Sequence, residues 1–486
     1  MFPRSKWVVL ILLGLALLAR VNRIDQLLGF YYDQGRDAKV IWQLWHEHKL
    51  FLIGPTTGVE GIFLGPFYYY LLAPFYLVGN GNPVLPAVSL AIINVLGIGL
   101  VYLLARRYYS ATAGLMAVIF LSFSFYLVVA HRWLANPNPL PLFALGVVWC
   151  LLAIVHRKAT LWHWFGLGLG MGLSLQLEAA SASFFLPATA LVLLIFRLSI
   201  YWHWRWVGLA GAAFLATMLP QVVFDFRHQH ILWMTMHNFL TGGRSFQPVL
   251  TSRLHFYYEA FVTKFTPIIE LGRYFVVGVI ILALTNLRQL WSKTTAVLVI
   301  WWLTPLVALL FYHGNNGYVW DYYFTGVYPV AMLLVAAVLA GAAKKSKLTL
   351  ALVIGLIILF LYANLPNIVS SETAGVDGPE HISLGNEMQA IAWVYADNAG
   401  NDFNVDAYVP PVIPHSYDYL FLWLGSTKYH HLPLVQKQSR LYTLYEVDPP
   451  HPERLQAWLA RQAGIGQVVA ETKFGGITVQ RRERIK

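Results

Sequence analysis

The residue types best suited to chemistry lie in one short stretch, Phe30-Tyr31-Tyr32-Asp33-Gln34-Gly35-Arg36-Asp37-Ala38-Lys39. Asp33 stands three residues before Arg36 and four before Asp37, a spacing that turns all three side chains toward one face of a helix. Two carboxylates around a guanidinium suit two tasks. The guanidinium can grip a phosphate through paired hydrogen bonds, assisted by the free N–H groups of a helix start. A carboxylate placed at a hydroxyl can take its proton as a general base. The same spacing also describes a helix cap with a surface salt bridge, and spacing alone does not separate the two.

Other polar residues offer further contacts for a substrate or a cation. Arg132, Asn136 and Asn138 share the turn His131-Arg132-Trp133-Leu134-Ala135-Asn136-Pro137-Asn138-Pro139. Glu60 could join Asp33 around a divalent cation, Mg²⁺ or Mn²⁺, the one cofactor the pattern admits. Glu178 and Asp225 are carboxylates at the edges of apolar runs, where ionisable groups are costly and often functional. Asp321-Tyr322-Tyr323 sets two phenols at headgroup depth, where they could meet a phosphate or simply form an aromatic belt. The histidines show no ligand spacing.

These residues need elements to hold them. Asp33 is expected as an N-cap, with a helix following over 34–49. Ala38, Ile41, Trp42 and Trp45 then fall at i, i+3, i+4 and i+7, an apolar stripe fitting a helix in the membrane interface. The run 65–79, broken by Pro66 and Pro74, is expected as a juxtamembrane or re-entrant piece of the same external loop, 24–83.

Of 486 residues, 58% are hydrophobic and 12% charged. Soluble globular chains average about 45–50% and about 25%. The surface is therefore matched to lipid, which excludes a soluble enzyme. Eleven apolar runs of roughly the ~20 residues that cross a hydrocarbon core lie at 7–23, 84–105, 111–130, 140–156, 161–177, 182–198, 206–222, 267–285, 294–312, 326–343 and 348–365. Arg4/Lys6, Arg106/Arg107, Arg157/Lys158, Arg197/Arg205, Arg288/Lys293 and Lys344/Lys345/Lys347 mark every second junction, placing the N-terminus inside and 366–486 outside. Residues 1–365 carry a net charge of +14 and residues 366–486 a net of −3. The basic excess thus sets membrane orientation and does not indicate a nucleic-acid partner. The one cysteine, Cys150, excludes a disulfide framework.

The tail, 366–486, is expected as a small α/β domain: helices at 385–398 and 452–462, strands at 403–409, 441–447, 467–470 and 477–480. The membrane domain, 1–365, shows no repeat of the transporter kind.

Asp33-x-x-Arg36, Gly65-Pro66-x-Tyr68-Tyr69-Tyr70, Ala105-Arg106-Arg107 and the turn from Arg132 to Pro139 together resemble the glycosyltransferase C (GT-C) superfamily. The likeness is to bacterial membrane enzymes related to protein O-mannosyltransferases and to the lipid A aminoarabinose transferase, and it covers roughly 1–365. It implies a polyprenyl-phosphate-linked sugar donor, a lipid, glycan or protein acceptor, and inverting transfer on the outer face of the bacterial cytoplasmic membrane. By the same resemblance Asp33 matches the catalytic acidic residue and Arg36 the arginine that binds the lipid phosphate, with Tyr322 and Tyr323 as further phosphate contacts. The chain departs from the pattern at two places. Asparagines stand at 136 and 138 where many relatives have a carboxylate, and Glu60 is the nearest acid to the usual second position at Leu64. The rival reading is a multi-pass transporter or lipid flippase.

Overall fold

The computed structural model describes residues 4–196, 204–242, 249–269, 271–312, 318–410 and 413–485. Helices occupy all eleven apolar runs; residues 197 and 198 of the sixth lie outside the described residues. Among the described residues four helices, Val84–Tyr108, Trp204–Arg227, Lys293–Phe311 and Lys347–Thr373, are long and apolar enough to cross a membrane. Ala111–Phe123 and Phe125–Arg132 make a fifth span if taken as one helix, bent by 61°. Others, such as Leu140–Val155 and Tyr328–Ala342, are apolar but shorter. Eleven crossings therefore stand as an expectation; among the described residues four helices, or five with the bent pair, meet the length and apolarity of a span.

The bend has an identifiable cause. A helix end leaves carbonyls without partners, and the fully buried Arg20 supplies donors from the first helix. Its Nη2 donates to Leu121 O at 2.9 Å and its Nη1 to Ser122 O at 3.1 Å. Its Nε meets His131 Nδ1 at 3.0 Å. On the far side of the break, Asn364 Oδ1 accepts from the Phe125 N–H at 2.7 Å.

The first loop carries a helix over Tyr32–His46 and another over Phe67–Val78. The expected cap is corrected: the first helix starts one residue before Asp33, and Tyr31 is its N-cap. The Tyr31 N–H is satisfied by Gln34 Oε1 at 3.0 Å, which leaves the Asp33 carboxylate free for Arg36. The helix also stops at His46, and His48 takes a left-handed φ of 54°. Ala38, Ile41 and Trp42 are buried as the stripe requires, yet they face protein. The Trp42 ring meets Tyr419 of the tail edge-on, 6.3 Å between centroids.

The tail forms a four-stranded sheet of order β1-β2-β4-β3, with β1 at Asn404–Tyr408, β2 at Arg440–Glu446, β3 at Gly466–Phe474 and β4 at Ile477–Arg484. β1 and β2 are parallel and the other pairs antiparallel. The parallel pair needs a crossover, supplied by a helix over His415–Thr427 that the sequence reading lacked. Tyr417, Tyr419, Leu420, Phe421, Trp423 and Leu424 are all buried. A helix apolar on most sides carries little 3.6-residue periodicity to reveal it.

This crossover helix packs directly on Tyr32–His46, where the absence of a side chain at Gly35 admits the His415 backbone. Leu384 N–H donates to Leu28 O at 2.8 Å, Trp423 Nε1 to Asn80 O at 2.7 Å and Tyr419 OH to Gly81 O at 2.5 Å. The tail thus lies on the same side of the helical bundle as the first loop and clasps it.

Candidate active site

Arg36 is the hub. Its Nε and Nη2 donate to Asp37 Oδ1 at 2.9 and 2.8 Å, and Tyr69 OH donates to the same oxygen at 2.9 Å. Its Nη1 bonds Thr56 Oγ1 and Asp33 Oδ1, each at 2.8 Å. The two carboxylates are unequal: the Asp37 side chain is 8% exposed and that of Asp33 58%. Burial raises the Asp37 carboxyl to about 6 against the pull of Arg36. Burial also works against the Arg36 charge, but Asp37 and Asp33 outweigh it and raise its pKa. The guanidinium is therefore firmly charged and anchored from behind. Charge-assisted hydrogen bonds are worth about 1.5–3 kcal/mol each, whereas exposed ion pairs contribute roughly 0–1 kcal/mol. The Asp33 contact is therefore the weaker of the two.

The tail supplies one wall. The His415 ring lies 4.7 Å from the Tyr32 ring, and Lys39 Nζ reaches Asp418 Oδ2 at 3.7 Å. His415 lies within the electrostatic reach of Arg36 and Asp33, and burial lowers its pKa, so the ring is neutral near pH 7. The sequence held no signal for this partner, which comes from the far end of the chain.

A second wall is the short 3₁₀ turn Asp321–Phe324. Tyr322 is stacked on Trp320, 5.9 Å between centroids, and its phenol lies within electrostatic reach of both Glu178 and Asp33. Tyr323 contacts Tyr322 edge-on at 5.3 Å. Asp321 is paired with Lys264 at 3.0 Å. Lys264 is a further cation the sequence reading did not single out; it sits in a π-helical turn, Phe261–Phe265, a distortion frequent at functional sites.

The remaining candidates part company. Asn136 Nδ2 donates to Leu177 O at 2.6 Å, beside Glu178. Asn138 is buried within its own turn, donating to Trp133 O at 2.6 Å and accepting from Asn94 at 2.8 Å. Arg132 donates to Asn22 O and faces Glu372 and Arg23. Glu60 is exposed in a turn. Asp225 closes a turn, accepting from the Leu232 N–H at 2.8 Å. Among the described residues no three His, Cys, Asp or Glu side chains converge to hold a metal ion. No chemical step is assigned to a cation.

Beside Tyr322 opens a cavity of about 460 Å³, lined mainly by apolar groups including Leu121, Tyr126, Leu127, Trp133, Leu145 and Pro329.

This helical bundle, with its loop helices and capping tail, is the GT-C fold. Residues 64–224 match the family described as dolichyl-phosphate-mannose-protein mannosyltransferase; the matched span includes the Gly65-Pro66 motif and leaves Asp33 and Arg36 outside. In three dimensions the chain is similar to ArnT from Cupriavidus metallidurans bound to undecaprenyl phosphate, with a TM-score of 0.62, 14% identity and 98% of each chain covered. It is also similar to the oligosaccharyltransferase AglB from Archaeoglobus fulgidus in complex with an inhibitory peptide and a dolichol-phosphate, with a TM-score of 0.50, 12% identity, 98% of this chain and 74% of that one. No curated protein sequence matches the chain.

Proposed function

We propose that this protein is an inverting membrane glycosyltransferase. It moves a sugar from a polyprenyl-phosphate donor to a hydroxyl of a lipid, glycan or protein acceptor, on the outer face of a bacterial cytoplasmic membrane. The observation that carries this reading is the division of Arg36 between a buried carboxylate behind it and an exposed one in front.

The donor phosphate takes the Nη1 side of Arg36 and displaces Asp33, while Asp37 and Tyr69 keep the guanidinium in place. Asp33, released beside the anomeric carbon, accepts the acceptor hydroxyl's proton as that oxygen attacks. The bond from the anomeric carbon to the phosphate oxygen breaks, and the polyprenyl phosphate leaves with the electron pair. Its charge is stabilised by Arg36, which needs no reorganisation at that moment. Tyr322 and Tyr323 donate to the phosphate from the opposite wall. The apolar cavity beside Tyr322 suits an isoprenoid chain. The GT-C fold shared with ArnT supports the same reading. Domains 1–365 and 366–486 then divide the labour, the first carrying the reaction and the second walling the site.

The test uses purified protein in lipid vesicles with radiolabelled undecaprenyl-phosphate sugars of mannose, glucose, galactose and arabinose type. Membrane extract serves as the acceptor source. Consumption of one labelled lipid that disappears in Asp33→Asn supports the proposal. No consumption of any of them, with or without Mg²⁺ or Mn²⁺, refutes it and favours transport.

A further inference from the structure

We infer that Glu178 and Asn136 form the subsite that receives hydroxyl groups of the donor's sugar, across Tyr322 from Asp33. This rests on the transferase reading above and extends it to recognition of the sugar.

Three elements converge at this point. Glu178 is the junction between the helices Leu161–Leu177 and Ala179–Ala182, in an extended conformation with φ −156° and ψ 100°. The turn around Asn136 is tied to that junction through Leu177 O, one residue before Glu178. The turn after Tyr322 is tied to it as well, because the Gly326 N–H donates to Ser181 Oγ at 3.2 Å. The turn at 136–138 carries no carboxylate of its own, and Glu178 brings one to it from another part of the chain.

The carboxylate is 8% exposed, and among the described residues it makes no ion pair. One oxygen accepts from the Ala180 N–H at 3.1 Å, and the Asn136 amide is held beside the carboxylate by its hydrogen bond to the neighbouring Leu177 O. The titratable groups facing it are the phenols of Tyr322 and Tyr323. Burial raises its pKa to about 7. A buried acid with a backbone N–H donor and no cation beside it is a costly arrangement. It retains acceptor capacity for further O–H groups, since a carboxylate offers about four lone-pair sites. Asn136 adds an amide, and Tyr322 with Trp320 adds an aromatic wall. A ring bearing several hydroxyls and an apolar C–H face matches that set. A bare phosphate does not, because a carboxylate repels it.

The test is binding, which separates sugar from phosphate. Full-length protein in nanodiscs is titrated with bare undecaprenyl phosphate, then with the mannose, glucose, galactose and arabinose derivatives. Wild type is expected to bind at least one glycosylated lipid about 10-fold more tightly than the bare lipid, the effect of one lost or gained charge-assisted hydrogen bond. Glu178→Gln keeps an acceptor for the Ala180 N–H, so the junction stays capped. This variant and Asn136→Ala should lose that preference while binding bare undecaprenyl phosphate as wild type does. Arg36→Ala should weaken all five lipids alike. If both variants keep the preference, or wild type shows none for any sugar, the inference is wrong. If wild type binds no undecaprenyl phosphate at all, the donor reading beneath it fails too.

Discussion

Gly35 and His415 meet backbone to backbone, 380 positions apart in the sequence, and a Cβ on Gly35 would overlap the His415 carbonyl. The contact lies one residue from the Arg36 hub and makes the tail part of the site's wall. Gly35→Ala is therefore expected to push the crossover helix away. Overpacking of this kind costs about 1–3 kcal/mol. A lower unfolding temperature in detergent together with a loss of donor turnover would be the signature. Unchanged turnover would mean that the tail does not shape the reaction centre.

Asp33→Asn removes the proton acceptor and leaves the Arg36 anchor intact. General-base catalysis contributes about 10²–10⁴-fold, so kcat should fall by at least 100-fold with a small change in donor KM. Arg36→Lys should raise KM as well as lower kcat. An ammonium cannot hold Asp37 bidentately while facing a phosphate. Steady-state kinetics with labelled donor distinguishes the two patterns.

The pH dependence follows from Asp37. Its carboxyl is raised to about 6 by burial, so above that pH it is ionised and anchors Arg36 by charge. As pH falls through about 6 it takes up a proton and the anchor weakens. Donor kcat/KM should therefore show an acid limb near pH 6. Asp37→Asn should lower kcat/KM at pH 7 and flatten that limb. A limb that persists unchanged in Asp37→Asn would assign it to another group.

Arg20 makes the opposite kind of prediction, for stability away from the proposed chemistry. Arg20→Ala leaves the carbonyls of Leu121 and Ser122 without those donors at the helix break. Each buried group stranded this way costs about 1–3 kcal/mol. The variant should show a clear fall in unfolding temperature, and at a temperature where it stays folded, the same donor KM as wild type.

What could be read from the sequence divides along physical lines. Apolar runs and alternating basic junctions depend on composition, and helices do occupy those runs. The cluster of Asp33, Arg36 and Asp37 was legible because helical spacing alone brings the three together. The unequal exposure of the two carboxylates was not, since it is set by Tyr69 and Thr56 from later in the loop. Glu178 appeared in the sequence as an isolated membrane-edge acid; Asn136 reaches it through the neighbouring Leu177 O, a tertiary contact between residues 41 positions apart. The crossover helix was hidden by its own burial. The misplaced N-cap reflects competition: an Asp at a helix start usually caps it, but here Arg36 claims the carboxylate and Gln34 serves the Tyr31 N–H.

The clasp between the first loop and the tail has a consequence for biosynthesis. His415, Tyr419 and Trp423 are made about 380 residues after Asp33 and Arg36. At about 5–20 residues per second, the loop helix waits roughly 20–75 s for its cover. During that interval Trp42 is without the Tyr419 ring it packs against. A chain that stops before His415 would lack the wall that packs on the helix carrying Arg36.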